Sequence, residues 1–282
     1  MQSADKYIRE SISSLFSTRE ASQISLMILE SVCGLSRTDI LMGKDNLNES
    51  QHKIIDDIIS QLKTQRPIQY ILGNTDFMNL KFKVAEGVLI PRPETAELIN
   101  IIIDENKTDN PTILDIGTGS GCIAVSLAHY ITNSDVTAFD ISDRAISIAT
   151  ENATSNNVNI KFIQKDILNC DCSQFHNQFD IIVSNPPYIC EKEKESMHNN
   201  VLDFEPHIAL FVSNEDPLIF YRTIVNLATQ MLKSNGKLYF EINEAFGKET
   251  AQLLIDAGFS DVKIINDLQQ KERMVCVTLI KN

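Results

Sequence analysis

The sequence predicts an α/β fold, a mostly parallel sheet covered by helices on both faces, preceded by a small N-terminal α-helical bundle. Three observations carry this expectation. From Pro111 onward, short apolar runs alternate with stretches of helical period, the pattern of strands joined by crossover helices. Up to about Gly73, apolar residues recur at three- and four-residue spacing. Between the two regions, Asp76 to Ile90 reads as an extended hairpin, and Pro91-Arg92-Pro93 then breaks any regular element.

In the helical region, Ile24, Met27, Ile28 and Val32 share one face, and Thr18 is placed to cap their helix, with Ala21 three residues on. Ile54, Ile55, Ile58, Ile59 and Leu62 mark a second amphipathic helix, which Asn48 or Ser50 can cap. Gly34, Gly43 and Gly73 punctuate the segment, so four or five short helices are expected. The hairpin carries Phe77, Leu80, Phe82, Val84 and Val88, with Asn79 near its turn, and a helix runs from Glu94 to about Asn106. Strands are expected at 112–116, 136–139, 160–163, 179–183 and 237–242, and helices at 121–130, 143–152, 217–232 and 248–257. Two last apolar runs, 262–265 and 274–280, resemble a closing antiparallel hairpin. The boundaries that follow are 1–75 for the helical bundle, 76–92 for a linker hairpin and 93–282 for the α/β domain.

Composition narrows the function classes. The 282 residues are 43% hydrophobic and 22% charged, enough apolar material for a sizeable core. With 25 basic and 38 acidic side chains the net charge is −13, which opposes non-specific nucleic-acid binding, since that depends on neutralising phosphates. Asp5, Lys6, Arg9 and Glu10 occupy the first ten residues and no apolar run follows, so no secretory leader is expected. The run 98–103 is far shorter than a membrane span. Six scattered cysteines suit a reduced compartment, and a cytoplasmic protein is the expectation. Only Cys170 and Cys172 lie close together, without the usual zinc spacer, and the five histidines form no pair. No metal is expected.

Chemistry concentrates at strand ends. Leu114-Asp115-Ile116-Gly117-Thr118-Gly119-Ser120-Gly121 closes the first parallel strand and opens a helix. Glycines there permit a tight turn and close backbone approach to a ligand, beside free N–H groups at the helix start. The run is G-x-G-x-G rather than the dinucleotide fingerprint G-x-G-x-x-G. Asp140 ends the next strand, nineteen residues beyond Gly121, a position suited to ribose hydroxyls. Asp166 follows the third strand and can accept from an adenine amino group. All three lie on the carboxyl edge, where doubly wound sheets bind ligands. The constellation resembles the class I S-adenosylmethionine-dependent methyltransferases. That likeness implies a Rossmann-like domain with a mostly parallel seven-stranded sheet and an antiparallel C-terminal strand, and S-adenosyl-L-methionine as cofactor.

After the fourth strand come Asn185-Pro186-Pro187-Tyr188. Two prolines stiffen the turn and remove two donors, leaving the Asn185 side-chain oxygen and the Pro186 carbonyl as acceptors beside the flat Tyr188. Two acceptors can hold the hydrogens of an NH₂ on an sp² carbon and aim its nitrogen at a sulfonium methyl, while an aromatic ring stacks on the planar group. Asn185, Pro186 and Tyr188 are therefore the catalytic candidates. The tetrapeptide suits an adenine exocyclic amine and a glutamine amide equally.

Further segments resemble one family, the PrmC/HemK peptide chain release factor N5-glutamine methyltransferases. They are Pro67 to Gly73, Val88 to Thr95, Leu114 to Gly121, Ser184 to Ile189, Phe204-Glu205-Pro206, Ala209-Leu210, Tyr221-Arg222 and Asp267-Leu268 with Arg273. The resemblance implies methylation of the glutamine in the Gly-Gly-Gln loop of class-1 release factors, with S-adenosyl-L-homocysteine as product and the N-terminal bundle helping to bind the factor. Carried over, Gly117, Thr118, Gly119, Ser120, Gly121, Asp140, Ile167 and Asn185 contact the cofactor, and Asn185, Pro186, Pro187 and Tyr188 form the substrate site. Arg92 is a substrate contact or a sheet-capping arginine, and Glu205 a substrate contact or a loop anchor. Two departures stand out. Ala96 follows Thr95 where the family has Glu, and Gln270 occupies the glycine of Asp-Leu-x-Gly-x-x-Arg. The rival readings are an adenine-N6 methyltransferase acting on nucleic acid, which the charge opposes, and a degenerate fold that binds cofactor without turnover, which the intact glycine loop and Asn-Pro-Pro-Tyr turn oppose.

Overall fold

The computed structural model describes residues 3–107 and 110–280. Residues 1–2, 108–109 and 281–282, which fall within the sequence-derived boundaries 1–75 and 93–282, lie outside them. The chain divides into two compact units, Met1–Asn74 with His198–Phe204, and Thr75–Met197 with Glu205–Asn282. The sequence reading assigned 198–204 to the α/β domain.

The helices of residues 4–72, all but the last, begin where a short polar side chain satisfies a free N–H group; the last starts after Pro67 without such a cap. These helices are α1 (Ala4–Ile12), α2 (Thr18–Cys33), α3 (Arg37–Leu41), α4 (Glu49–Lys63) and α5 (Ile68–Leu72). The cap of α2 is Ser17, one residue before the expected Thr18, because Glu20 then sits three residues on and closes a reciprocal box. Asn48 and Gln51 do the same for α4. Ile8, Ile12, Ile28, Leu29 and Ile55 are fully buried in this unit, each removing apolar surface worth roughly 1.5–3 kcal/mol.

At the start of the second unit lie β1 (Asn74–Phe77), whose first residue is the last of the first unit, and β2 (Leu80–Lys83), joined by Met78 and Asn79 at φ 50° and 59°, the left-handed pair that a two-residue hairpin turn demands. The hairpin ends at Lys83 rather than Ile90. The chain turns at 85–88, where Gly87 has φ 92°, so Val84 and Val88 are buried without strand pairing. Next come α6 (Pro93–Glu105), started by proline at its first position, then β3 (Thr112–Ile116), α7 (Cys122–Tyr130), β4 (Asp135–Asp140), α8 (Asp143–Ser155), β5 (Ile160–Gln164) and β6 (Phe179–Ser184). The connection after β6 holds β7 (Ile189–Cys190), α9 (Asn199–Phe204), which groups with the first unit, α10 (His207–Leu210) and β8 (Phe211–Val212). The chain ends with α11 (Ile219–Met231), β9 (Leu232–Glu241), α12 (Gly247–Asp256), β10 (Phe259–Asn266) and β11 (Glu272–Leu279).

Among the described residues the main sheet has seven strands in the order β10-β11-β9-β6-β3-β4-β5. Strands β9, β6, β3, β4 and β5 are parallel, and β11 runs antiparallel to both of its neighbours. Alternate residues of each strand enter different cores. Leu114, Ile182 and Leu238 pack with Tyr221 and Ile224 of α11, whereas Ile113, Ile181 and Tyr239 pack with Leu98 and Ile99 of α6. Chain order reverses at β3, which lies between β4 and β6. The crevice outside the carboxyl ends of β3 and β6 is therefore the expected ligand site.

Candidate active site

The glycine loop is held open by its backbone geometry. Gly117, Gly119 and Gly121 have φ of 77°, 56° and 80°, values that a side chain would strain. The Gly117 and Thr118 N–H groups both donate to the Phe139 carbonyl, at 2.8 and 2.9 Å, tying the loop to the end of β4. Asp140 follows, and its carboxylate accepts from Gly119 N at 2.8 Å and Ser142 N at 2.9 Å. Burial pushes its pKa up, and the N–H donors oppose that rise. Asp115, wholly buried near the end of β3, accepts from Thr118 Oγ1 at 2.6 Å, and burial raises its pKa to about 7.

Above the loop lies a cleft of about 270 Å³. Phe139, Ile141, Ile167, Leu168, Phe220 and Ile224 give it apolar walls, and Thr118, Ser120, Asp140, Asp166 and Asn185 place polar groups around them. Asp166 already accepts from Leu168 N at 3.0 Å and from Asn169 Nδ2 at 2.7 Å, which shapes the turn after β5.

At the end of β6, Ser184 Oγ donates to the Ile116 carbonyl at 2.7 Å and locks the two central strand ends together. The next residue, Asn185, engages its Nδ2 with two partners. It donates to Glu241 Oε2 at 2.9 Å and to Thr95 Oγ1 at 3.3 Å. Thr95 Oγ1 itself donates to Glu241 Oε2 at 2.7 Å, and the Tyr188 hydroxyl donates to Glu241 Oε1 at 3.0 Å. Glu241 is 1% exposed; burial raises its pKa, and the hydrogen bonds from Thr95 and Tyr188 work against that. Asn243 Nδ2 holds the Tyr188 carbonyl at 3.0 Å. Among the described residues nothing donates to Asn185 Oδ1 or to the Pro186 carbonyl.

Comparison with known proteins fixes the family. A profile described as a methyltransferase domain matches residues 107–249, and one described as the PrmC N-terminal domain matches residues 8–73. The chain is 47% identical over 273 residues to a release factor glutamine methyltransferase of Flavobacterium psychrophilum, covering 95% of each chain. It is 44% identical over 270 residues to one of Bacteroides thetaiotaomicron, covering 95% of this chain and 96% of the other. The chain belongs to the release factor glutamine methyltransferase family. Among solved structures, a methyltransferase from Pyrococcus furiosus matches with a TM-score of 0.54 at 17% identity, over 80% of this chain and all of that one, a likeness of fold.

Within that family frame, the structure brings Gly117, Thr118, Gly119, Ser120, Asp140, Asp166, Ile167, Asn185, Pro186, Pro187 and Arg92 to one cleft. Three expected site residues stand back from its walls. Gly121 caps the start of α7 at φ 80°, where a side chain is strained, and a Cβ there would also lie a tight 3.0 Å from the Ala149 Cβ. Tyr188 turns its hydroxyl down onto Glu241 instead of presenting its ring as a cleft wall. Glu205 is 4% exposed, pairs with Arg92 Nη2 and accepts from Ile90 N at 3.3 Å, so Arg92 reaches the cleft already held. The sequence reading passed over Glu241 and Asn243 and treated Thr95 only as part of a family segment. The available signal was a carboxylate and an amide ending the otherwise apolar run Leu238-Tyr239-Phe240, a placement that burial alone would disfavour. The family departure at Gln270 also has a local meaning, because that residue sits at φ 65°, where glycine is at ease.

Proposed function

We propose that the chain methylates the side-chain amide nitrogen, N5, of the glutamine in the Gly-Gly-Gln motif of class-1 peptide chain release factors, using S-adenosyl-L-methionine and releasing S-adenosyl-L-homocysteine. The observation that carries this reading is the 47% identity, over 95% of both chains, to a relative named release factor glutamine methyltransferase. The cleft suits the donor. Phe139, Ile141 and Ile167 offer apolar faces for a flat base, and the carboxylate of Asp140 has lone pairs left for ribose hydroxyls. Bound there, the donor supplies an electrophilic methyl group on a sulfonium sulfur.

The protein's own part is orientation. A planar amide nitrogen is a poor nucleophile because its lone pair is delocalised. Asn185 Oδ1 and the Pro186 carbonyl accept its two hydrogens and hold the nitrogen in line with the methyl carbon, and the N–C bond forms as the S–C bond breaks. The proton on the quaternised nitrogen then leaves to water, so these residues need supply no strong base. Arg92, steadied by Glu205, is one of two cationic side chains lining the cleft, with Lys165, and is the one we assign to the incoming loop. The N-terminal helical unit contributes to release factor binding. The reaction belongs to the cytoplasm, without stable nucleic-acid or membrane binding and without a metal. Among the described residues no helix is long and apolar enough to cross a membrane, and no cluster of three or more His, Cys, Asp or Glu side chains could hold a metal ion.

The test is to incubate the protein with S-adenosyl-L-methionine and unmodified class-1 release factor, then map the product by tandem mass spectrometry. A single added methyl on the Gly-Gly-Gln glutamine is expected. Asn185→Ala should retain cofactor binding and lose turnover by about 100-fold or more, because its oxygen acts on the transition state. An unmodified glutamine with bound cofactor, or turnover in Asn185→Ala like that of wild type, contradicts the reading.

A further inference from the structure

We propose that Glu241 is a positioning residue for methyl transfer, holding the Asn185 side-chain amide, together with Thr95, in the one orientation that turns Oδ1 toward the substrate. The inference rests on the reading of Asn185 as an acceptor for the substrate amide and names what makes it one.

An asparagine amide keeps nearly the same shape when its oxygen and nitrogen exchange places, so only its hydrogen-bond partners decide which atom faces the cleft. Exchanged, Asn185 would present an NH₂ to the NH₂ of the substrate, donor against donor. Glu241 forbids this. An ionised carboxylate only accepts, and its Oε2 stands 2.9 Å from Asn185 Nδ2, so an oxygen in that place would meet another oxygen without a hydrogen between them. Thr95 enforces the same choice. Its one hydroxyl hydrogen points to Glu241 Oε2 at 2.7 Å, which leaves a lone pair facing Asn185 at 3.3 Å, and that lone pair also requires a donor.

The carboxylate is itself fixed. Tyr188 donates to its other oxygen at 3.0 Å, and the Tyr221 hydroxyl donates to the main-chain carbonyl of Glu241 at 3.1 Å. Glu241 lies outside the cleft walls while Thr95 and Asn185 are on them, so it acts through Asn185 and not on the reacting atoms. A buried carboxylate at a strand end is costly unless it is satisfied by donors, and here Asn185, Thr95 and Tyr188 supply three. The arrangement joins three distant stretches of chain: the start of α6, the turn after β6 and the end of β9. An acceptor held this way favours an NH₂-bearing side chain over a carboxylate.

Glu241→Gln keeps the shape and lets the amide at 185 take either orientation. Thr95→Val removes the hydroxyl and keeps the carboxylate. Single-turnover rates would be measured with both substrates saturating, alongside the cofactor Kd and the melting temperature. The expected result for Glu241→Gln is a rate about 10- to 100-fold lower with a cofactor Kd within about threefold of wild type, the size seen when a supporting partner that orients a functional group is lost. Thr95→Val should lose less, in the same direction. A Glu241→Gln rate within about twofold of wild type overturns the proposal, and so does a rate loss matched by equal losses of cofactor affinity and melting temperature in both variants. A wild-type protein that leaves the factor unmethylated overturns instead the proposed function on which this inference rests.

Discussion

Asp115 is the last residue but one of β3 and Asp140 ends β4, yet their surroundings give them different relations to solvent. Asp140 reaches the cleft, while Asp115 is wholly buried with Thr118 on one oxygen. Burial raises the Asp115 pKa to about 7, so the folded protein favours its protonated form. A carboxyl raised above its unfolded value of about 4 contributes stability below that value, and the contribution is lost as pH rises through about 7. At about 1.4 kcal/mol per pH unit the loss is of the order of 4 kcal/mol. Asp115→Asn should therefore flatten the melting temperature between pH 4 and 7 and melt higher than wild type at about pH 8, as read by thermal denaturation across that range. An unchanged pH slope would remove the buried carboxyl as its cause. At this scale Asn185 and Asp140 were legible because each follows a readable strand. Glu241 was not, because its role depends on Thr95 and Tyr188, partners that are 146 and 53 residues away.

Elements were legible where their period was long enough to express itself. The parallel strands β3, β4 and β6 are mostly buried and read as apolar runs. The short elements α9, α10, β7 and β8, of two to six residues, carry too few positions to show any period. The capping of α2 was misplaced by one residue because Ser17 and Thr18 are chemically alike, and Glu20 decides between them. The turn between β10 and β11 carries an element-scale prediction. Gln270 has φ 65° there, and its N–H donates to the Asp267 carbonyl at 2.9 Å. A side chain in the left-handed region costs about 1–2 kcal/mol, part of which glycine returns as unfolded-state entropy. Gln270→Gly should raise stability by about 0.5–1 kcal/mol, seen as a higher midpoint in urea at unchanged slope. A lower midpoint would mean that the Gln270 side chain contributes more than its backbone costs.

For the whole molecule, the family likeness reaches both regions of the chain: the N-terminal profile spans residues 8–73, the methyltransferase profile 107–249, and the Flavobacterium psychrophilum relative aligns over 95% of the chain. The strand order puts two unrelated-looking motifs, the glycine loop and Asn-Pro-Pro-Tyr, side by side at β3 and β6, although about 65 residues separate them. That juxtaposition was foreseeable from strand alternation, whereas the grouping of His198–Phe204 with the helical unit was not, since it depends on packing between stretches far apart in the chain. The same turn chemistry also suits an adenine amine, and net charge is the whole-molecule property that separates the two substrates. At −13 the chain is poorly suited to gathering phosphates. The most direct test is a transfer panel with methyl-labelled S-adenosyl-L-methionine, offering unmodified class-1 release factor, the same factor with alanine in place of the Gly-Gly-Gln glutamine, duplex DNA and structured RNA. The account predicts label in the unmodified factor alone. Label in either nucleic acid, or in the factor that lacks the glutamine, would contradict it.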